Sequence, residues 1–304
     1  MLNVRGFYVV AQTPFAEDGA LDEGSIDSLC AFYVEHGVEG FTALGISGEA
    51  GRLTLDETLA VARRYIARAE GRPVVLGVSN PSIAHLADVA ARVMDMGASG
   101  VMVAPHGTRT EADLATYFAE VVRRLGDTPI VLQDFPAASG VAMSVAAMAR
   151  LIADHPTIAA VKHEDAPSLP KLSRLLAATP RPVPVLTGSN ALYLPEELRR
   201  GAEGPMAGFS FPEVLAGILR HHRAGDGDAA DALFATFLPL IRHEAQGVWG
   251  LAVRKEVMRR RGAMASARMR EPAPRLDATD MTEIDRLLRQ LARRTDAVPA
   301  SLAA

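Results

Sequence analysis

Lysine is scarce in this 304-residue sequence: only Lys162, Lys171 and Lys255 occur among 32 lysines and arginines. Lys162 closes Ile158-Ala159-Ala160-Val161-Lys162-His163-Glu164, an apolar run of strand length. Ala166-Pro167-Ser168 then breaks the pattern before a helical segment. At the carboxyl end of a buried parallel strand this amine faces the place where an α/β barrel does its chemistry. Apolar surroundings disfavour an ammonium ion, and an amine freed of its proton attacks a carbonyl carbon to form an imine. Arginine cannot substitute, because its guanidinium keeps its proton. The competing reading is a lysine that stretches its stem along the strand end and holds its charge in water. Lys171 and Lys255 read as outward-facing or helical residues.

The other chemistry-bearing residues fall just beyond further strand ends. They are Thr13, the loop Gly45-Ile46-Ser47-Gly48-Glu49, Ser79 and Asn80, His106, Gln133 and Asp134, Gly188 and Ser189, and Phe209 to Phe211. Ser47, Gly48 and the loop's backbone N–H groups suit a carboxylate, although an ordinary strand-to-helix turn has the same composition. Ser47 lacks a nucleophile-elbow context. His106 and His163 have no metal-ligand spacing, so no metal is expected. Cys30 lies in a helical pattern and reads as a buried structural thiol; a single cysteine also excludes an intrachain disulfide.

What positions these residues is a repeated unit. Strand patterns at 6–13, 39–44, 73–78, 99–104, 129–133, 158–162, 183–187 and 205–209 alternate with helical ones at 25–36, 55–69, 82–96, 111–125, 144–154, 168–178, 191–200 and 212–223. Gly37 ends the first helix as a left-handed cap. The strands lack polar alternation, as expected of strands buried on both faces. Eight such units predict a closed (β/α)8 barrel rather than an open sheet. No Gly-x-Gly-x-x-Gly follows the first strand and no phosphate-loop motif occurs, which disfavours nucleotide binding. Helical patterns continue at 228–245, with Asp228 as candidate cap, then at 247–261 and 278–292. The chain thus divides into a barrel over 1–225 and a helical domain over 226–304, with an irregular connector at 267–277 and a frayed tail from Asp296.

Half the residues (49%) are hydrophobic, enough for a large core, and the net charge of −4 offers no basic field for nucleic acid. No run of ~18 apolar residues supports a membrane span. The N-terminus lacks a secretory pattern, so a cytoplasmic location is expected.

Several of these segments together resemble the dihydrodipicolinate synthase and N-acetylneuraminate lyase superfamily. They are Thr13-Pro14-Phe15, Gly45-Ile46-Ser47-Gly48-Glu49, Gln133-Asp134-Phe135-Pro136 and Val161-Lys162-His163-Glu164. The resemblance spans the chain and implies a (β/α)8 barrel with C-terminal helices, cofactor-free imine chemistry at Lys162 on a 2-oxo acid, and a homo-oligomer, tetramer or dimer. It also implies a carboxylate pocket at Ser47 and Gly48. Gln133 and Glu49 join Lys162 as candidate catalytic groups. Thr13, Asp134, His106, Glu164, Ser189 and Phe209 are candidate substrate contacts.

The departures matter too. Gln133 stands where synthases carry a proton-relaying tyrosine, and Ile46 where the loop has a hydroxyl. Gly107 replaces a further tyrosine, and Ala138 replaces the arginine that receives an aldehyde's carboxylate. Val131 to Gly140, Lys162 to Pro167 and Leu238 to Glu244 look closer to the L-2-keto-3-deoxyarabonate dehydratase branch. That likeness implies dehydration of a 2-keto-3-deoxy sugar acid. The alternatives are pyruvate-dependent aldol chemistry, synthase-like condensation, or a barrel that binds keto acids without turnover. Gln133 can orient a hydroxyl or water but is no base. Glu49, His106, His163 and Asp134 are the candidate proton carriers.

Overall fold

The computed structural model describes Leu2 and residues 4–295; the tail from Asp296 lies outside the described residues. Eight parallel strands form the wall: β1 (Tyr8–Val10), β2 (Gly40–Ala43), β3 (Val74–Gly77), β4 (Gly100–Val103), β5 (Ile130–Asp134), β6 (Ile158–His163), β7 (Val185–Thr187) and β8 (Met206–Ala207). The hydrogen-bonded order runs β7-β6-β5-β4-β3-β2-β1-β8, and a bridge between Thr187 and Pro205 brings β7 back towards β8. The expected eight-stranded barrel is therefore the fold. Six of its strands are shorter than their expected spans, while β5 keeps its length and β6 runs one residue further, to His163. The first, expected over 6–13, pairs as a strand only over Tyr8–Val10, and Ala11 continues with one bond from its N–H to the Thr42 carbonyl.

The outer ring is α1 (Glu23–Glu35), α2 (Leu55–Arg68), α3 (Ile83–Asp95), α4 (Glu111–Leu125), α5 (Pro136–Ser139), α6 (Val145–Asp154), α7 (Ser168–Ala178), α8 (Leu194–Arg199) and α9 (Pro212–Arg223). The short α5 was not foreseen, and the helix expected over 191–200 is a 3-10 turn at Ser189–Ala191 followed by α8. Local chemistry sets the starts. Asp22 caps α1, and capping boxes at Thr54 with Glu57 and Thr110 with Asp113 start α2 and α4. Gly37, at φ 83, takes the expected left-handed conformation after α1. Beyond the barrel lie α10 (Gly227–Glu244), α11 (Gly247–Arg260) and α12 (Ala278–Ala292). The cap of α10 is Asp226, which accepts from the Ala229 N–H, and not the expected Asp228.

Strand alternation separates two cores. Val10, Val75, Met102, Val131, Ala160, Leu186 and Met206 fill the barrel interior. Val9, Phe41, Leu76, Val101, Leu132, Val161 and Val185 face the helices, and Phe237, Ile241, Val253 and Val257 of α10 and α11 belong to that same outer cluster. The C-terminal helices share the barrel's core rather than hanging from it. Cys30 is fully buried there, its thiol pushed up to about 12 chiefly by burial, which fits the structural role expected of it.

Candidate functional site

The inward face of β6 passes through Ala160 and therefore through Lys162, whose Cα partners are Gln133 on β5 and Leu186 on β7. Lys162 is 4% exposed. Its surroundings are not purely apolar as the sequence suggests: Nζ lies 2.9 Å from Glu164 Oε1. The same oxygen accepts a bond of 2.8 Å from the Gln133 amide. Glu164 Oε2 accepts from the Ser189 N–H at 3.2 Å, and the Ser189 hydroxyl donates to the Glu164 carbonyl. A side chain on Gly188 would overlap this carboxylate, so the glycine is what lets Glu164 turn back beside Lys162. Lys162, Glu164, Gln133 and Ser189 thus form one connected group. Glu164, expected as a substrate contact, lies directly beside the Lys162 amine.

The alternation that turns Lys162 inward turns its neighbours outward. His163 Nδ1 bonds Asp134 Oδ2 at 2.9 Å and Nε2 meets the Ser168 carbonyl at 3.1 Å. Lys171 of α7 reaches both Asp134 and Asp165. Asp134 is completely buried in this cluster between sheet and helix, which corrects its expected role as a substrate contact and the candidacy of Asp134 and His163 as proton carriers. Phe209 is corrected for the same reason. It follows outward-facing Ala207 by two residues and packs on Phe211 and Phe237, with centroids 5.9 and 6.4 Å away.

Opposite β6, Ile46–Gly48 forms a 3-10 turn. The Thr13 hydroxyl donates to the Gly48 carbonyl at 2.6 Å, so Thr13 is positioned to fix this turn. The Gly48 N–H is taken by the Gly45 carbonyl, and Ser47 is half-buried. Glu49 departs from its expected catalytic role. Its Oε1 binds Lys255 at 2.5 Å, and Oε2 accepts from Arg52 and the Arg270 N–H. His106 is exposed beyond β4 and joins none of these clusters.

Sequence reasoning missed two residues of α11. Arg254 and Lys255, both buried, reach opposite sides of the mouth. Lys255 also donates to the Thr13 and Arg268 carbonyls, and burial lowers it below its usual 10.5 against the pull of Glu49. Arg254 pairs with Glu244 at 2.9 Å and donates to Asn190 Oδ1 at 2.7 Å. Burial raises the Glu244 carboxyl even against Arg254. Lys171 and Lys255 are helical as expected but buried rather than outward. Gln12 and Thr42, at inward-facing positions, leave a buried amide and a buried hydroxyl without partners among the described residues. Among these residues no group of His, Cys, Asp and Glu could hold a metal, and no helix is long and apolar enough to cross a membrane.

Comparisons with known proteins agree with this architecture. The chain is 32% identical over 294 residues to an L-2-keto-3-deoxyarabonate dehydratase of Azospirillum brasilense, covering 94% of each. It is 30% identical over 239 residues to a 4-hydroxy-tetrahydrodipicolinate synthase of Pelobacter propionicus, covering 77% of this chain and 81% of the relative. A crystal structure of dihydrodipicolinate synthase from Rhodopseudomonas palustris superposes with a TM-score of 0.92 at 41% identity, covering 94% of this chain and 97% of that one. A prophage protein of E. coli K12, solved in complex with pyruvate, does so with a TM-score of 0.86 at 26% identity over 95% and 98% of the two chains. The model of the dihydrodipicolinate synthetase family matches residues 3–291. With a lysine-bearing barrel mouth and a family match over nearly its whole length, the chain belongs to the dihydrodipicolinate synthetase family.

Proposed function

We propose that this protein is an imine-forming lyase that dehydrates a 2-keto-3-deoxy sugar acid. The observation that carries the reading is the buried, inward-facing Lys162 with the Glu164 carboxylate 2.9 Å from its nitrogen. Glu164 takes the proton that keeps the amine from reacting, and Lys162 attacks C2 of the bound keto acid. The proton returns to the carbinolamine oxygen, water leaves and the protonated imine forms. Ser47 binds the substrate carboxylate. Glu164, again a carboxylate, takes the C3 proton while the imine accepts the C3–H bonding electrons, giving an enamine. The same carboxyl returns that proton to the C4 hydroxyl, which leaves as water, and hydrolysis of the resulting unsaturated iminium frees Lys162. The balance over the cycle is one water lost from the substrate.

Dehydration is preferred to condensation because of what the site carries. Gln133 holds Glu164 and provides no phenol for a tyrosine relay. Ala138 offers no cation for an incoming aldehyde acid. The similarity to the Azospirillum dehydratase over 94% of both chains supports the same choice. Homo-oligomerisation belongs to the same proposal and rests on the family resemblance.

The test is a product assay on a panel of 2-keto-3-deoxy sugar acids, with borohydride reduction and peptide mapping in parallel. Loss of water together with an adduct at Lys162 supports the reading. Pyruvate release transfers the assignment to an aldolase. An adduct without turnover makes the barrel a keto-acid binder, and a bound ligand without adduct overturns the imine.

A further inference from the structure

Three consecutive residues after β7, Ser189, Asn190 and Ala191, have positive φ of 47, 54 and 59°. Single left-handed residues are unusual outside glycine, and a run of three persists only where its surroundings impose it. What holds this run is the C-terminal helices. Asn190 Oδ1 accepts from Arg254 Nη2 at 2.7 Å, and its Nδ2 faces the Glu244 carbonyl at 3.4 Å. Arg254 Nε is tied to Glu244 Oε2, and Glu244 in turn accepts from both the N–H and the hydroxyl of Ser210 after β8. Space for the guanidinium is made by Gly208, where a Cβ would come within 2.6 Å of Arg254 Nη1. The held run presents the Ser189 N–H and hydroxyl to Glu164.

We infer that Arg254, acting through Asn190 and Ser189, is a positioning residue that sets the Glu164 carboxylate against Lys162. The inference rests on the proposed imine chemistry and adds to it a requirement for the C-terminal helices. The next residue, Lys255, ties the Glu49 and Thr13 loops on the other side. Two consecutive residues of α11 therefore hold the loops after β1, β2 and β7, and through Glu244 of α10 the loop after β8 as well. A helix outside the barrel, rather than the barrel alone, sets the geometry of the mouth.

The mild test is Asn190→Gly, which tolerates the left-handed φ and leaves the Glu244–Arg254–Ser210 cluster intact. Arg254→Met is the stronger variant, and Asn190→Asp retains an acceptor for Arg254. Each is scored in the full-length protein by thermal midpoint, by half-saturation for pyruvate and by the rate of borohydride-trapped adduct formation at Lys162. A shift of the reacting groups by about an ångström predicts a loss of about 100-fold in trapping rate for Asn190→Gly, with half-saturation changed little. Asn190→Asp is expected to recover most of the rate. A trapping rate in Asn190→Gly within about twofold of the parent's overturns the positioning role, whatever the thermal midpoint does. Absence of any adduct in the parent protein, with pyruvate shown to bind, overturns the imine reading and this inference with it. The two failures are therefore distinguishable.

Discussion

Lys162 and Glu164 are two residues apart in sequence, and their charged ends meet at 2.9 Å although β6 ends between them. Chain alternation puts positions i and i+2 on one face, and the sharp return permitted by Gly188 brings the carboxylate over the amine. In the proposed mechanism the nucleophile and its proton acceptor thus come from one local segment. Replacing Lys162 with methionine keeps the bulk and removes the nucleophile. Turnover is expected to fall by at least about 1000-fold, with no borohydride-trapped adduct. Circular dichroism with a thermal midpoint distinguishes this from misfolding.

Glu164→Gln retains the shape and an acceptor but cannot take a proton. A positioned general acid–base contributes about 10²- to 10⁴-fold, and the rate is expected to fall within that range. Half-saturation for the keto acid should move by only a few-fold. Steady-state kinetics settles this, and an unchanged kcat removes Glu164 from the mechanism.

Glu49 and Lys255 form a buried pair linking the barrel to α11. Removing one member strands a buried charge and typically costs about 3–5 kcal/mol. Glu49→Gln and Lys255→Met are each expected to lower the urea midpoint strongly, and the double variant Glu49→Leu with Lys255→Met to recover part of the loss. Turnover per folded Glu49→Gln molecule should stay near the parent value. Lost turnover with an unchanged urea midpoint would return Glu49 to a catalytic role.

Glu197 on α8 is 2% exposed and holds the Ser168 hydroxyl at 2.5 Å. Burial raises its carboxyl above the ordinary 4.5, with the Ser168 bond opposing. With the folded value above the unfolded one, the associated stability is fully present below 4.5 and disappears as pH rises through the raised value. Glu197→Gln, a permanent stand-in for the neutral acid, should melt higher than the parent at pH 7. The gap should close towards pH 4. Equal midpoints at pH 7 would show that the carboxylate is accommodated without cost.

The site was legible to different depths. Lys162 stood out because a lysine ending a four-residue apolar run is costly to bury without a purpose. The period of two was also available to show that Gln133 faces inward while Asp134, His163 and Phe209 face the helices. Applied through the strand ends, it separates the residues that meet at the mouth from those that do not. The same rule makes Glu164, named from the sequence only as a substrate contact, the next same-face position after Lys162.

The sequence by itself determined the eight βα units, the left-handed glycine that ends α1 and the strand carrying Lys162. Those features depend on neighbours within a few residues, through hydrophobic period, caps and glycine turns. Only the tertiary structure decided that Glu49 is consumed by Lys255, 206 positions away, and that Arg254 reaches Asn190, 64 positions away. A charged residue on a helix reads locally as a solvent-facing one. Whether it is buried and what it pairs with depend on which distant loop folds over it, and no short-range pattern encodes that choice.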